Sequence, residues 1–163
     1  MRWLRHVFAP SARKLFPPAR MDRIAAAIAA GERRHGGEVM FAIEEELPLA
    51  ALWRGTSPRE RARHAFAVLR TWDTRANNGV LIYLLLADHA IEIVADRGLD
   101  GKVTAAQWHE VCQRMRERMR AGDPEQAAIG GIEAVSELLA EHFPPGPDTP
   151  EENELPNRPQ VLG

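Results

Sequence analysis

The sequence predicts an α/β fold: a three-layer α/β/α sandwich on a small mixed sheet, with helices on both faces. Three observations carry this. Val80 to Leu86 is apolar at every position, the pattern of a central strand covered on both faces. Asp88-His89 separates that run from the alternating segment Ala90 to Ala95, so the two read as a β-hairpin. The apolar run Glu38 to Ile43 comes earlier, with a helical segment between it and Val80, which makes these two strands parallel through a right-handed crossover. The expected sheet has two parallel strands plus one antiparallel hairpin strand.

The helices follow from local signals. Asp22 to Arg34 places Ile24 and Ile28 one turn apart, and His35-Gly36-Gly37 ends it. Leu47 to Thr56, with Pro48 and Gly55, reads as a loop. Ser57, Pro58 and Glu60 form a capping box with proline at the first helical position, and Ala62, Ala65, Phe66 and Leu69 follow at helical spacing. Thr104 and Gln107 form a second capping box before Trp108, Val111, Cys112, Met115 and Met119. Asp123 caps the last helix, with Pro124 behind it. Gly130 and Gly131 inside that helix cost about 1 kcal/mol each relative to alanine, which suggests close packing against a neighbour, here the sheet.

Length and charge bound the function. A chain of 163 residues predicts one domain. Residues 1–20 form a basic, apolar arm in which Pro10, Pro17 and Pro18 stop any long helix. Residues 21–143 are the folded unit. Residues 144–163 carry Pro144, Pro145, Pro147, Pro150, Pro156 and Pro159 with Glu151, Glu152 and Glu154, a composition that predicts disorder. A net charge of −2 argues against a nucleic-acid partner. The single cysteine, Cys112, excludes a disulfide framework and a cysteine-based zinc site within one chain. No run is long and apolar enough to span a membrane, and Arg2, Arg5, Arg13 and Lys14 interrupt any secretory signal, so a cytoplasmic protein is expected, with peripheral contact to the inner membrane face left open.

The run Asn77-Asn78-Gly79 through Ala87-Asp88, followed by Ile91-Glu92-Ile93-Val94-Ala95-Asp96-Arg97-Gly98-Leu99, resembles the TPM domain. That domain occurs in plant thylakoid-lumen and photosystem II repair proteins, in a nematode receptor modulator and in many bacterial proteins. Trp72 shortly before Asn-Gly, and Gly122-Asp123 between the last helices, fit the same pattern over residues 21–143. The resemblance implies an α/β/α sandwich, acid phosphatase activity and divalent-cation binding.

The hairpin suggests where chemistry could sit. With Asp88-His89 as the turn, Asp73, Asn77 and Asn78 face Asp96, Arg97 and Asp100 across one edge. Asp73, Asn78, Asp96 and Asp100 carry hard oxygen ligands suited to Ca²⁺ or Mg²⁺, and Asn77, Asn78 and Arg97 are candidates for an anion. Turn chemistry at Asn77-Asn78-Gly79 and an exposed hairpin exit at Asp96-Arg97 explain the same residues more simply. The opposite edge holds Glu44, Glu45 and Glu46 with Asp88 and His89; an acidic triplet leaving a strand reads as a solvated loop. Ser11, Ser57, Ser136 and Cys112 offer no convincing nucleophile, and no phosphate loop is present. The residues therefore favour an interaction or regulatory module, with a metal-dependent phosphatase as the alternative. Trp3, Leu4, Val7 and Phe8, flanked by Arg2, Arg5 and His6, fit an apolar stripe that could meet a protein partner or an anionic membrane, or fold back on its own domain; the acidic tail is a second partner-binding candidate.

Overall fold

The structure, a computed structural model, describes residues 1–147, 149 and 153–163. Its elements are α1 (Arg2–Val7), α2 (Ala12–Leu15), α3 (Pro18–Glu32), β1 (Glu38–Glu44), α4 (Leu49–Trp53), α5 (Pro58–Val68), β2 (Gly79–Leu85), β3 (Ala90–Ala95), a 3-10 turn (Arg97–Leu99), α6 (Ala105–Arg120), α7 (Pro124–His142) and β4 (Gln160–Leu162). The strands form one mixed sheet in the order β3-β2-β1-β4. β1 and β2 are parallel, with Val39 opposite Val80, and β3 is antiparallel to β2, with Val80 opposite Ala95. The expected architecture is present, and a fourth strand extends it.

Strand alternation sorts the core onto two faces. Val39, Phe41, Ile43, Val80, Ile82 and Leu84 are buried together with α3, α6 and α7. Met40, Ala42, Leu81, Tyr83 and Leu85 are buried together with α4 and α5. Both capping boxes form: Ser57 Oγ accepts the Glu60 N–H, and Thr104 Oγ1 accepts the Gln107 N–H, each at 3.2 Å. His89 takes a left-handed backbone, φ 51°, which closes the hairpin.

Four expectations need correction. The segment 47–56 is not all loop: Pro48 starts the short helix α4. Helix α3 begins at Pro18, earlier than Asp22, because proline is well placed in a first turn, where no N–H is needed. The folded unit does not begin at residue 21: the arm folds back, one of the readings left open for it, and Ala12 and Phe16 join the core, with Phe16 and Phe41 ring centroids 6.4 Å apart. The tail, expected to lack a buried face, buries Leu155 and adds β4 parallel to β1, pairing Ala42 with Gln160. A free sheet edge supplied those hydrogen bonds, and local composition does not see a distant edge. Pro150, Glu151 and Glu152 lie outside the described residues.

The helical glycine argument also changes target. A Cβ on Gly131 would come within 2.4 Å of Met115 Sδ, so the close neighbour is α6 rather than the sheet, while Gly130 faces open space.

Candidate functional site

Because β1 and β2 run parallel, their carboxyl ends open at the same edge. Glu44 lies there fully buried. Arg61, on α5, grips it with Nε to Oε2 at 2.9 Å and Nη2 to Oε1 at 2.6 Å, and the Tyr83 hydroxyl donates to it at 2.5 Å. Burial, then the hydrogen bond to Glu44, pushes the Tyr83 hydroxyl well above its ordinary pKa. Glu45 accepts the Ala12 backbone N–H at 2.6 Å. Glu44 and Glu45 are therefore not a solvated loop: one ties the sheet to α5 and the other ties down the arm.

Asp88 fixes the rest of the arm. Its carboxylate receives Arg2 Nη2 at 2.7 Å, Arg2 Nε at 2.9 Å and His6 Nε2 at 3.2 Å, with Arg5 at 3.8 Å. Burial alone would raise its pKa, but the Arg2 hydrogen bond and charge outweigh that and hold it below the usual carboxylate range. His6 Nδ1 accepts the Leu47 N–H at 3.0 Å, which places the ring hydrogen on Nε2, toward Asp88.

This clasp decides which side of α1 faces out. Trp3 is 55% exposed, Val7 60% and Phe8 79%. The His6–Leu47 bond sets α1 beside the start of α4, which adds Leu49 at 72% and Trp53 at 87% exposure. Arg5, Arg13, Lys14 and Arg54 are exposed as well. The first twenty residues carry five Lys or Arg and no Asp or Glu. Of this surface, the sequence signalled the α1 stripe. Leu49 and Trp53 were missed, although their i, i+4 spacing is helical.

The residues expected at the opposite edge divide into groups. Asp96 N–H donates to Gly79 O at 2.9 Å and Gly98 N–H to Asn77 O at 2.8 Å, so Asn77, Asp96 and Arg97 do meet there through the backbone. A Cβ on Gly79 would strike Thr71 O, at the end of α5, so Gly79 and its cross-strand neighbour Asp96 face the α5 side. Asn78 faces the other way: its Nδ2 donates to Gly36 O at 3.0 Å, and it lines a cavity of about 400 Å³ with Phe143 and Arg75. Asp73 pairs with Arg70 at 2.7 Å, Asp96 Oδ1 caps the 3-10 turn by accepting the Arg97 N–H at 2.8 Å, and Arg97 and Asp100 are exposed. Asp96 Oδ2 and Asn78 Oδ1 are buried without partners, but on opposite faces of the sheet. The four proposed cation ligands do not share one site, and among the described residues no three His, Cys, Asp or Glu side chains cluster as metal ligands do.

The nucleophile candidates are occupied or buried. Ser57 caps α5, Ser136 is fully buried on α7, and Ser11 contacts Glu45 at 3.4 Å. Burial pushes the Cys112 thiol up to about 11, which leaves it protonated and inert. Three further titratable groups, Glu32, Glu38 and His35, were not singled out by the sequence. Glu32 is raised to about 8 by burial and then by the charge of Glu38, whose own carboxyl is also raised by burial. His35 is lowered to about 4 by burial. Glu38 Oε1 accepts the Glu154 N–H at 3.2 Å, so this pair meets the tail where it crosses the sheet end.

The sequence profile of the TPM domain matches residues 11–138, and the chain belongs to that family. Solved structures agree. BA42 from the psychrophilic bacterium Bizionia argentinensis superposes with a TM-score of 0.78 at 25% identity, over 93% of this chain and 99% of that one. The N-terminal domain of a protein from P. gingivalis gives 0.61 at 20% identity, over 83% and 85%. The N-terminal domain of cg2496 from Corynebacterium glutamicum gives 0.55 at 12% identity, over 83% and 80%, and shows the fold alone, as the previous one does. No curated protein matches the chain.

Proposed function

We propose that this TPM-domain chain is a non-catalytic interaction module that docks on an anionic membrane surface through α1 and α4. One observation carries the reading: the Asp88 clasp holds α1 by its polar side and leaves Trp3, Val7 and Phe8 outward, while Leu49 and Trp53 are exposed on α4, whose preceding residue Leu47 bonds to His6. Apolar insertion and attraction of basic residues to anionic lipid act together at such a surface, with about 1 kcal/mol per Lys or Arg near it. A free six-residue helix would lose most of that to ordering; here the helix is already folded and docked.

Cation binding and phosphomonoester hydrolysis, which the family resemblance implies, find one point of support, the unpartnered Asp96 Oδ2. A single oxygen on one face does not make a hydrolytic centre.

Co-sedimentation tests the reading. The chain should pellet with vesicles containing phosphatidylglycerol, remain in the supernatant with phosphatidylcholine alone, and be released as salt rises. The double variant Trp3→Ser, Phe8→Ser should stay in the supernatant throughout. A wild-type chain that ignores anionic vesicles at low salt points instead to a protein partner.

A further inference from the structure

Beyond the arm's outer face, the carboxyl edge of the sheet holds a cleft of about 410 Å³. Open α/β sheets bind ligands at the carboxyl ends of their parallel strands, and this cleft lies there, beside the end of β2. Its walls are apolar: Leu84 and Leu86 from β2 and its extension, Ile91 from β3, Leu15 from α2 and Met119 from α6. Three polar side chains join them, His89 from the hairpin turn and Arg116 and Arg120 from α6.

The two arginines differ. Arg116 is anchored, with Nη1 on Gln113 Oε1 at 2.9 Å and Nη2 on Ile91 O at 3.0 Å. Arg120 makes no side-chain hydrogen bond or ion pair among the described residues, and the cleft has no acidic lining residue. The two stand four residues apart on one helix face, so both guanidinium groups approach the same side of the cleft. A cleft of this size with apolar walls and unopposed positive charge is complementary to one kind of small molecule. We propose that it binds a free aliphatic monocarboxylate of medium chain length, with the chain along Leu84, Leu86, Ile91 and Met119 and the carboxylate at Arg120. The planar guanidinium suits a carboxylate because it can donate two parallel hydrogen bonds. The arm forms part of the wall through Leu15, so occupancy would be felt in the arm's docking as well.

Isothermal titration calorimetry on the full chain tests this, using sodium octanoate and decanoate below their micelle concentrations, decanol as a neutral chain and decyltrimethylammonium as a cation. The expected result is one bound decanoate per chain and an affinity that grows about threefold to fourfold per added methylene between octanoate and decanoate. Decanol should bind at least tenfold more weakly, and the cation not at all. Arg120→Gln, a change at an exposed position, should lower decanoate affinity about tenfold and leave decanol unchanged. Met119→Trp should fill the cleft and abolish both, its folding checked by an unchanged cooperative thermal transition. Absence of decanoate binding by the wild type overturns the proposal. So does binding of decanoate, decanol and the cation with equal affinity, or decanoate binding that Arg120→Gln leaves intact. Vesicle binding by the arm is measured separately and without fatty acid, so either reading can fail alone.

Discussion

His6 and Asp88 meet at 3.2 Å across the carboxyl edge of the sheet, while the other ring nitrogen of His6 accepts the Leu47 N–H. That pair makes the arm part of the fold. His6→Ala leaves a buried backbone N–H and one side of a buried carboxylate without partners, a loss of about 1–3 kcal/mol. Chemical denaturation should show that loss, and vesicle binding should weaken with it because α1 is no longer held in place. Unchanged stability would mean that the arm detaches in solution.

Arg61→Met should be among the most destabilising single changes. It leaves Glu44 charged, fully buried and unpaired, at a cost of about 3–5 kcal/mol. Adding Glu44→Gln should recover much of the loss, since a neutral amide can still accept from Tyr83. Thermal unfolding of both variants checks this; a double variant weaker than Arg61→Met would contradict it.

The pH profile has two limbs. His35 falls from an unfolded 6.5 to about 4, so folding releases its proton. Its contribution is complete above pH 6.5 and is lost as pH falls toward 4. Glu32 rises from 4.5 to about 8, so folding takes up a proton, and stability is lost as pH climbs through that window. The limbs oppose each other at mildly acidic pH. Between 6.5 and 8 only the Glu32–Glu38 pair contributes a slope among these groups. Glu32→Gln should flatten that part of the melting-temperature profile, and a wild type already flat there would refute the assignment.

Two glycine substitutions should differ by what the new methyl meets. On Gly79 it would lie 2.0 Å from the Thr71 carbonyl oxygen, a backbone atom that cannot swing away. On Gly131 it would meet the Met115 thioether, which can change rotamer. Gly131→Ala should cost about 1–3 kcal/mol, and Gly79→Ala distinctly more, by urea titration. Equal losses would show that the β2 edge yields more than its geometry suggests.

Much of the fold was legible because its signals are local. The capping boxes at Ser57 and Thr104, the apolar run at Val80 and the turn at His89 each carry their own instruction. What was not legible depends on distant partners. Glu44 looks like any charged residue leaving a strand until Arg61 arrives from α5, and Gln160 to Leu162 looks like tail until β1 offers an edge. The amino-edge residues failed to assemble for a related reason. Asn78 and Asp96 are adjacent in the ladder by position, but strand alternation sends their side chains to opposite faces. The apolar stripe of α1 was visible, whereas its orientation needed Asp88.

The most direct measurement of the membrane claim is the depth of α1 itself. A nitroxide placed through Val7→Cys can be compared with one placed through Val68→Cys, an exposed residue at the end of α5 near the opposite edge. Cys112 stays unlabelled because it is buried and its thiol is pushed up to about 11. Relaxation by oxygen and by a water-soluble nickel complex then reports whether each label sits in lipid or water. With phosphatidylglycerol vesicles in excess, the label at position 7 should gain oxygen contact and lose nickel contact, while the label at position 68 stays in water. If position 7 remains as accessible to nickel as position 68, α1 does not enter the membrane and the account is wrong.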